Sequence, residues 1–231
     1  MTKRCIVNVA ISNGKNNYVS GQQRLLRSIQ EHDSEVGWLA YTEEYPPNSP
    51  RHGLGPGEVR YQFKYHALRE AIRRGYEYLL WMDASCLLLK PIQRIWKAIE
   101  EEGVVFFDNG GHLQSHWTSK DCLDAIGSSI EEAQQYTQIT GAIQGYNVHS
   151  PLAMWVLGKI LEYGKMVTPI NGGSRTSPAP GYRDHRHGQS CLSHLVYTKK
   201  IMKRPYGWWF ATEYGPALGL WPETMIELRH V

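Results

Sequence analysis

Cysteine is scarce in this sequence and never paired. The four that occur, Cys5, Cys86, Cys122 and Cys191, are far apart and form no C-x-x-C element, which argues against a disulfide framework. Cys5 and Cys86 fall inside apolar strand patterns, where a thiol serves as a small core group. No apolar run approaches the length of a membrane span. The opening MTKRCIVNVA lacks the apolar segment of a signal peptide, so the expected location is the cytoplasm, of a cell or of an infected host. Net charge is only +3, and composition gives no reason to expect wholesale nucleic-acid binding. Neither a G-x-S-x-G elbow nor a G-x-x-x-x-G-K-[ST] loop occurs, which counts against a serine hydrolase and an ordinary kinase. There is no internal repeat, low-complexity segment or domain boundary, and 231 residues suit one domain with a sizeable core. Against these absences stands an excess of aromatics. Eight Trp and fourteen Tyr are many for this length; core packing explains some of them, and aromatic faces also line sugar-binding clefts.

The chain alternates strand and helix patterns. Arg4–Ile11 reads as a β-branched strand, Ser12-Asn13-Gly14 as a turn, Tyr18–His32 as a helix with Leu25, Leu26 and Ile29 on one face, and Val36–Tyr41 as a strand. This β-α-β opening predicts a parallel sheet. Residues 45–57 carry four prolines and three glycines and read as a surface loop. Gln62–Arg74 is helical by the spacing of Phe63, Ala67 and Ala71, with Gly75 as its stop. Pro91 opens another helix that Gly103 ends, and Val104–Phe107 is a strand with a turn at Asp108–Gly111. Thr118 with Asp121, and Ser129 with Glu132, have capping-box spacing. Ile139–Val148, with two glycines, reads as an edge strand near a ligand. Ser150-Pro151 starts a helix to Tyr163 that Gly164 stops, and Thr168–Tyr182 reads as a loop able to order over substrate. Trp208, Trp209, Phe210, Tyr214 and Trp221 either wrap the core or line an acceptor site.

Two stretches carry the chemistry. In Tyr76–Pro91 (YEYLLWMDASCLLLKP) a buried strand, Tyr78–Met82, ends at Asp83, followed by Ala84, Ser85 and a second apolar run, Cys86–Leu89. A carboxylate at the exit of a buried strand is costly without a partner, and that edge of an open α/β sheet is where ligands bind. A turn Asp capping the next segment is the other reading. In Arg183–Tyr197 (RDHRHGQSCLSHLVY) Leu192, Leu195 and Val196 mark a helix, which puts Asp184–Gln189 at its N-terminal end, where backbone N–H groups favour an anion. His187, Cys191 and His194 also allow a zinc reading, although no paired ligand motif accompanies them.

The strand-Asp83-x-Ser85 corner resembles the metal and nucleotide-sugar corner of GT-A-fold glycosyltransferases, in which Asp-x-Asp faces the ribose, the diphosphate and a divalent cation. His185-Arg186-His187-Gly188-Gln189-Ser190 is similar to the His-Arg-x-Asp-Gln-Ser element of such enzymes, with Gly188 in place of Asp. Together with Tyr61-Gln62-Phe63-Lys64, these elements follow the family's order from Cys5 to Tyr197. The resemblance implies an α/β fold with a GT-A-like (Rossmann-like), mostly parallel central sheet flanked by helices. It implies transfer of a sugar from a UDP- or GDP-sugar donor to a hydroxyl acceptor. By it, Asp83, Asp184 and Gln189 are the catalytic candidates. Ala10, Ser12, Lys64, Asp83, Ser85, Arg186 and His187 are expected to bind the donor, and Asp83 and Ser85 to hold Mn or Mg. An inverting enzyme needs a base, for which Asp108, Asp184 and Glu213 are open. A non-catalytic nucleotide-sugar or glycan-binding module is the alternative, since Ser85 and Gly188 each replace a carboxylate. A nucleotidyltransferase is a third reading.

Overall fold

The computed structural model describes residues 3–12, 16–207, 209–212 and 224–229. Asn13, Gly14, Trp208, Glu213, Tyr214 and Trp221 lie outside the described residues. The first strand, β1 (Arg4–Ala10), leads into α1 (Tyr18–His32), β2 (Gly37–Thr42), α2 (Phe63–Arg73) and β3 (Tyr78–Met82). β4 (Cys86–Leu88), α3 (Gln93–Glu102), β5 (Val104–Leu113) and a 3-10 turn at Gln114–Trp117 follow. α4 (Lys120–Ile126), α5 (Ile130–Ala133) and β6 (Thr137–Asn147) come next, then α6 (Pro151–Met166), α7 (Thr168–Asn171) and α8 (His187–Thr198). The short strands β7 (Lys203–Arg204), β8 (Phe210–Thr212) and β9 (Ile226–Leu228) complete the chain.

Six strands form one mixed, mostly parallel sheet in the order β2-β1-β3-β6-β5-β7. β1 pairs in parallel with both β2 and β3, and β5 with β7, while β6 runs antiparallel to β3 and β5. Alternation along the strands feeds two cores, because successive side chains leave a strand on opposite faces. Cys5, Val7, Leu79 and Trp81 pack with α2, α6 and α8 through Ala67, Leu68, Ile160 and Leu192. Ile6, Leu80 and Met82 pack with α1 and α3 through Leu25, Ile29, Trp96 and Ile99. Asp33, at the end of α1, accepts from Trp96 Nε1 at 2.6 Å and Gln93 Nε2 at 3.0 Å and so ties the two helices of this face together. Among the described residues no helix is long and apolar enough to cross a membrane.

Several local expectations need correction. β6 is an interior strand, not an edge: Gly145 lets Ile99 lie directly on it, and a Cβ there would sit 2.6 Å from Ile99 Cγ1. α6 runs past Gly164 to Met166, because Gly164 serves close packing against the Gln62 amide and not a stop. Asp108–Gly111 is an irregular continuation of β5; Asp108 accepts from Gly111 N–H and meets Lys203 and Thr137, which keeps the strand paired beyond the bulge. Ser119, not Thr118, caps α4 by accepting from Cys122 N–H, whereas Ser129 caps α5 as its spacing suggests. Thr168–Asn171 is a helical turn. The run after Asp83 leaves the main sheet: β4 pairs with β9, and β9 with β8, in a separate three-stranded sheet. Trp209 and Phe210 pack on the second core.

Candidate functional site

From β1 the chain turns to β2 on one side, and β3 then lies on the other side of β1. In open α/β sheets the crevice outside the strand ends at such a reversal is the usual ligand site. Here it opens into a cavity of about 760 Å³. Ser12, Lys64, Asp83, Ser85, Asp184, Arg186, His187 and Gln189 all line it, although they come from four separate parts of the chain. Ala10 does not; it is fully buried, its carbonyl accepts from Glu43 N–H at 2.8 Å, and its neighbours Val9 and Ile11 reach the wall instead.

The centre of the cavity is an ion pair. Lys64 Nζ lies 2.6 Å from Asp83 Oδ1 and donates a second bond to Gly141 O at 3.0 Å. The same carboxylate oxygen accepts from Trp81 Nε1 at 2.7 Å. Asp83 N–H donates to Ala142 O at 2.8 Å, which locks the corner to β6. The Lys64 side chain is only 10% exposed, and its ammonium lies 5.2 Å from the centre of the Trp81 ring and 5.6 Å from that of Tyr61. Such contacts favour a fixed cation. Among the described residues, no hydrogen bond reaches the second Asp83 oxygen.

The opposite wall is the start of α8. Arg186 lies flat on Trp117, 3.9 Å from guanidinium carbon to ring centre. Asp184 accepts from Arg175 Nη2 through both oxygens, at 2.6 and 2.7 Å, and from His185 N–H at 2.7 Å. Burial works against this carboxylate, but the Arg175 and His185 bonds outweigh it and hold it below the ordinary carboxylate range. Gln189 accepts from Gly141 N–H and donates to Gln138, bracing α8 against β6. At Gly188 a Cβ would come within 3.3 Å of the Tyr65 hydroxyl, so a larger side chain must displace that ring.

The histidines here are structural bases, not cations. The Ile170 carbonyl lies 2.9 Å from His185 Nε2 and 3.1 Å from His187 Nδ1, while Ser119 N–H donates to His185 Nδ1 at 3.4 Å. An imidazole that accepts at one nitrogen and donates at the other is the neutral tautomer. Burial pushes His185 down to about 4 and His187 to about 3. His187 therefore brings no positive charge to an anion at neutral pH.

Three further lining residues escaped the sequence reading. Arg60 is anchored by its N–H to Asn171 Oδ1 at 2.9 Å, and its buried Nε has no hydrogen-bond partner among the described residues. Its place next to Tyr61–Lys64 was the available signal. His52 accepts Tyr61 N–H at Nδ1 and stacks edge-on at 4.5 Å, which folds the Pro/Gly loop over the cavity. Arg175, a lone arginine in a Gly/Ser/Pro loop, was the third.

The segment 172–183 is tied down at several points. Ser174 N–H donates to Asp121, Lys120 N–H to Thr176 O, Tyr182 Oη to Arg175 O and Arg183 N–H to His116 O.

The donor set does not fit a protein-held Mn or Mg ion. A hard dication takes several oxygen ligands with carboxylates among them, yet Asp83 already shares an oxygen with an ammonium, and its companion Ser85 is a neutral hydroxyl. Among the described residues no three His, Cys, Asp or Glu side chains gather as metal ligands. The zinc reading fails for the same reason: His187 bonds Ile170 O, Cys191 Sγ bonds Pro169 O at 3.2 Å, and His194 meets the Tyr136 hydroxyl. Asp108 is paired with Lys203 at 2.6 Å and does not line the cavity. No protein-family model matches the chain, and no curated protein matches it in sequence.

Proposed function

We propose that the chain is a GT-A-like glycosyltransferase that moves a sugar from a UDP- or GDP-sugar to a hydroxyl acceptor. The observation that carries this reading is the convergence of the Asp83 corner, Lys64 and the start of α8 on one cavity at the reversal point of the sheet. Lys64, Arg60, Arg175 and Arg186 surround the place a diphosphate would take, and the uncommitted Asp83 oxygen suits a ribose hydroxyl. A preorganised set of donors stabilises the charge that grows on a departing diphosphate more than it stabilises the bound donor, and this difference is what accelerates transfer. Gln189 and the backbone around Gly188 form the wall against which the donor sugar would rest.

One feature favours the second reading, a binding module on the same scaffold: among the described residues, the two carboxylates that line the cavity are already paired, Asp83 with Lys64 and Asp184 with Arg175. An inverting transferase needs a free base. Two measurements separate the readings. A thermal-shift screen of nucleotides and nucleotide sugars identifies the ligand, since a ligand at about one hundred times its Kd raises stability by about 2.7 kcal/mol. Slow hydrolysis of the stabilising sugar nucleotide, with release of UDP or GDP, supports the transferase. Stabilisation without hydrolysis or transfer supports the module, and release of pyrophosphate redirects the assignment to nucleotidyl transfer.

A further inference from the structure

We infer that Lys64 is the diphosphate-facing cation of this site and that the site works without a divalent ion; the inference rests on the reading of the cavity as a diphosphate site. Three observations carry it. First, the ammonium is built in. Asp83, Gly141 O and the rings of Trp81 and Tyr61 fix its position, so its charge is in place before any ligand arrives. An ammonium has three donors, and two are used, which leaves one for a phosphate oxygen on the cavity side. Second, the lysine is paired to the carboxylate that would otherwise receive the metal. A dication brought to Asp83 would sit beside that ammonium and compete with it for the same oxygen, with only a hydroxyl at Ser85 to help.

Third, the overall charge of the cavity has the sign that suits a bare diphosphate. Among the described residues, Lys64, Arg60, Arg175 and Arg186 face Asp83 and Asp184, an excess of two cations. The three histidines in the wall add nothing at neutral pH, because burial drives His52 and His185 to about 4 and His187 to about 3. A dication would raise this excess, whereas a diphosphate offsets it. Arg60, which lines the same cavity, adds a second cation to this wall. In this arrangement Asp83 positions Lys64 and also competes with the ligand for it.

That competition gives the test an opposite sign under the two views. Binding of inorganic pyrophosphate, UDP and GDP is measured by calorimetry in EDTA and again with Mn²⁺ or Mg²⁺. The expected result is binding in EDTA at least as tight as with the divalent ion, which chelates diphosphates in solution and so competes for them, and loss of at least about tenfold in Lys64→Met, the scale of one charge-assisted hydrogen bond. Asp83→Asn, which keeps an acceptor oxygen for Lys64 but removes the competing charge, should bind pyrophosphate several-fold tighter. This second variant keeps the proposal testable if Lys64→Met does not fold. Diphosphate binding that appears only with a divalent ion, or is abolished in folded Asp83→Asn, overturns the inference and leaves the donor reading intact. No binding of any diphosphate in either condition overturns both.

Discussion

Acid should weaken this fold through the two histidines that share the Ile170 carbonyl, and His185 is the cleaner probe. It is 2% exposed, with Nε2 2.9 Å from Ile170 O and Nδ1 accepting from Ser119 N–H. Protonation puts a second proton where Ser119 already donates and a charge on a side chain buried from solvent. Burial therefore holds the folded value at about 4 against an ordinary value of 6.5. Between those values the unfolded chain binds the proton and the native protein does not. Stability is thus fully present above 6.5 and declines as the pH falls from 6.5 toward 4. From about pH 7.5 to about pH 5 the loss from this one residue is about 2 kcal/mol. For a chain of this size that corresponds to a fall in Tm of about 4–8 °C. His185→Gln keeps an N–H for Ile170 O but does not titrate. Its Tm at neutral pH should be somewhat lower than that of the wild type, and its fall between the two pH values smaller by this amount. Urea titrations at both pH values give the same comparison as free energies. Equal pH dependence in wild type and His185→Gln would refute the argument that this imidazole is held neutral by the fold.

Three further outcomes follow from single contacts. Gly172 has φ +83° and its missing Cβ would overlap the His185 ring, so Gly172→Ala should cost about 1–3 kcal/mol in urea unfolding; an unchanged midpoint would count against the tight contact. Gly145→Ala places a methyl group 2.6 Å from Ile99 Cγ1 and should cost about 1–3 kcal/mol, and the double variant with Ile99→Ala, which removes Cγ1 and Cδ1, should lose less than the sum of the two single costs; strict additivity would contradict it. Arg175→Met frees Asp184 and removes a cation from the cavity wall. Thermolysin should then cut segment 172–183 faster, and UDP binding should weaken by about tenfold; unaltered cleavage would show that the other ties of the segment suffice.

How much of this was legible depended on whether local pattern or distant packing decides each feature. The limits of α1 and β3 match the sequence reading because apolar periodicity and caps are local properties. β6 was misplaced because an apolar run with two glycines looks the same at an edge as in the interior; the partner of Gly145 is Ile99, far away in the chain. The end of α6 was misjudged because Gly164 answers to Gln62, not to its own helix. In the site, Asp83 stood out as a charge at the end of an apolar strand and Lys64 as part of the Tyr61–Lys64 element, but only the fold makes them partners, a pairing that poorly suits a metal at Asp83. His187 was expected among the donor-binding residues, while its burial and its bond to Ile170 O make it neutral. Arg60 and Arg175 sit in irregular segments where no period marks a residue as inward-facing.

Among the described strands of the main sheet only β6 is reversed, and this has a consequence for how the protein is made. β1, β2 and β3 are joined by short-range crossovers, and β5 and β6 form their own antiparallel pair, so each half of the sheet has contacts close in sequence. The seam between the halves, where Met82 pairs with Ile143, closes only after α3, β5, α4 and α5 have been laid down. Bringing such distant segments together carries the larger loop-closure entropy and belongs to the slow part of folding. Lys64 to Gly141 and Asp83 to Ala142 both bridge that seam. The ion pair at the heart of the cavity therefore gains its β6 anchors only when that strand docks, and a chain emerging from the ribosome has no complete site until β6 and then α8 have been synthesised and packed.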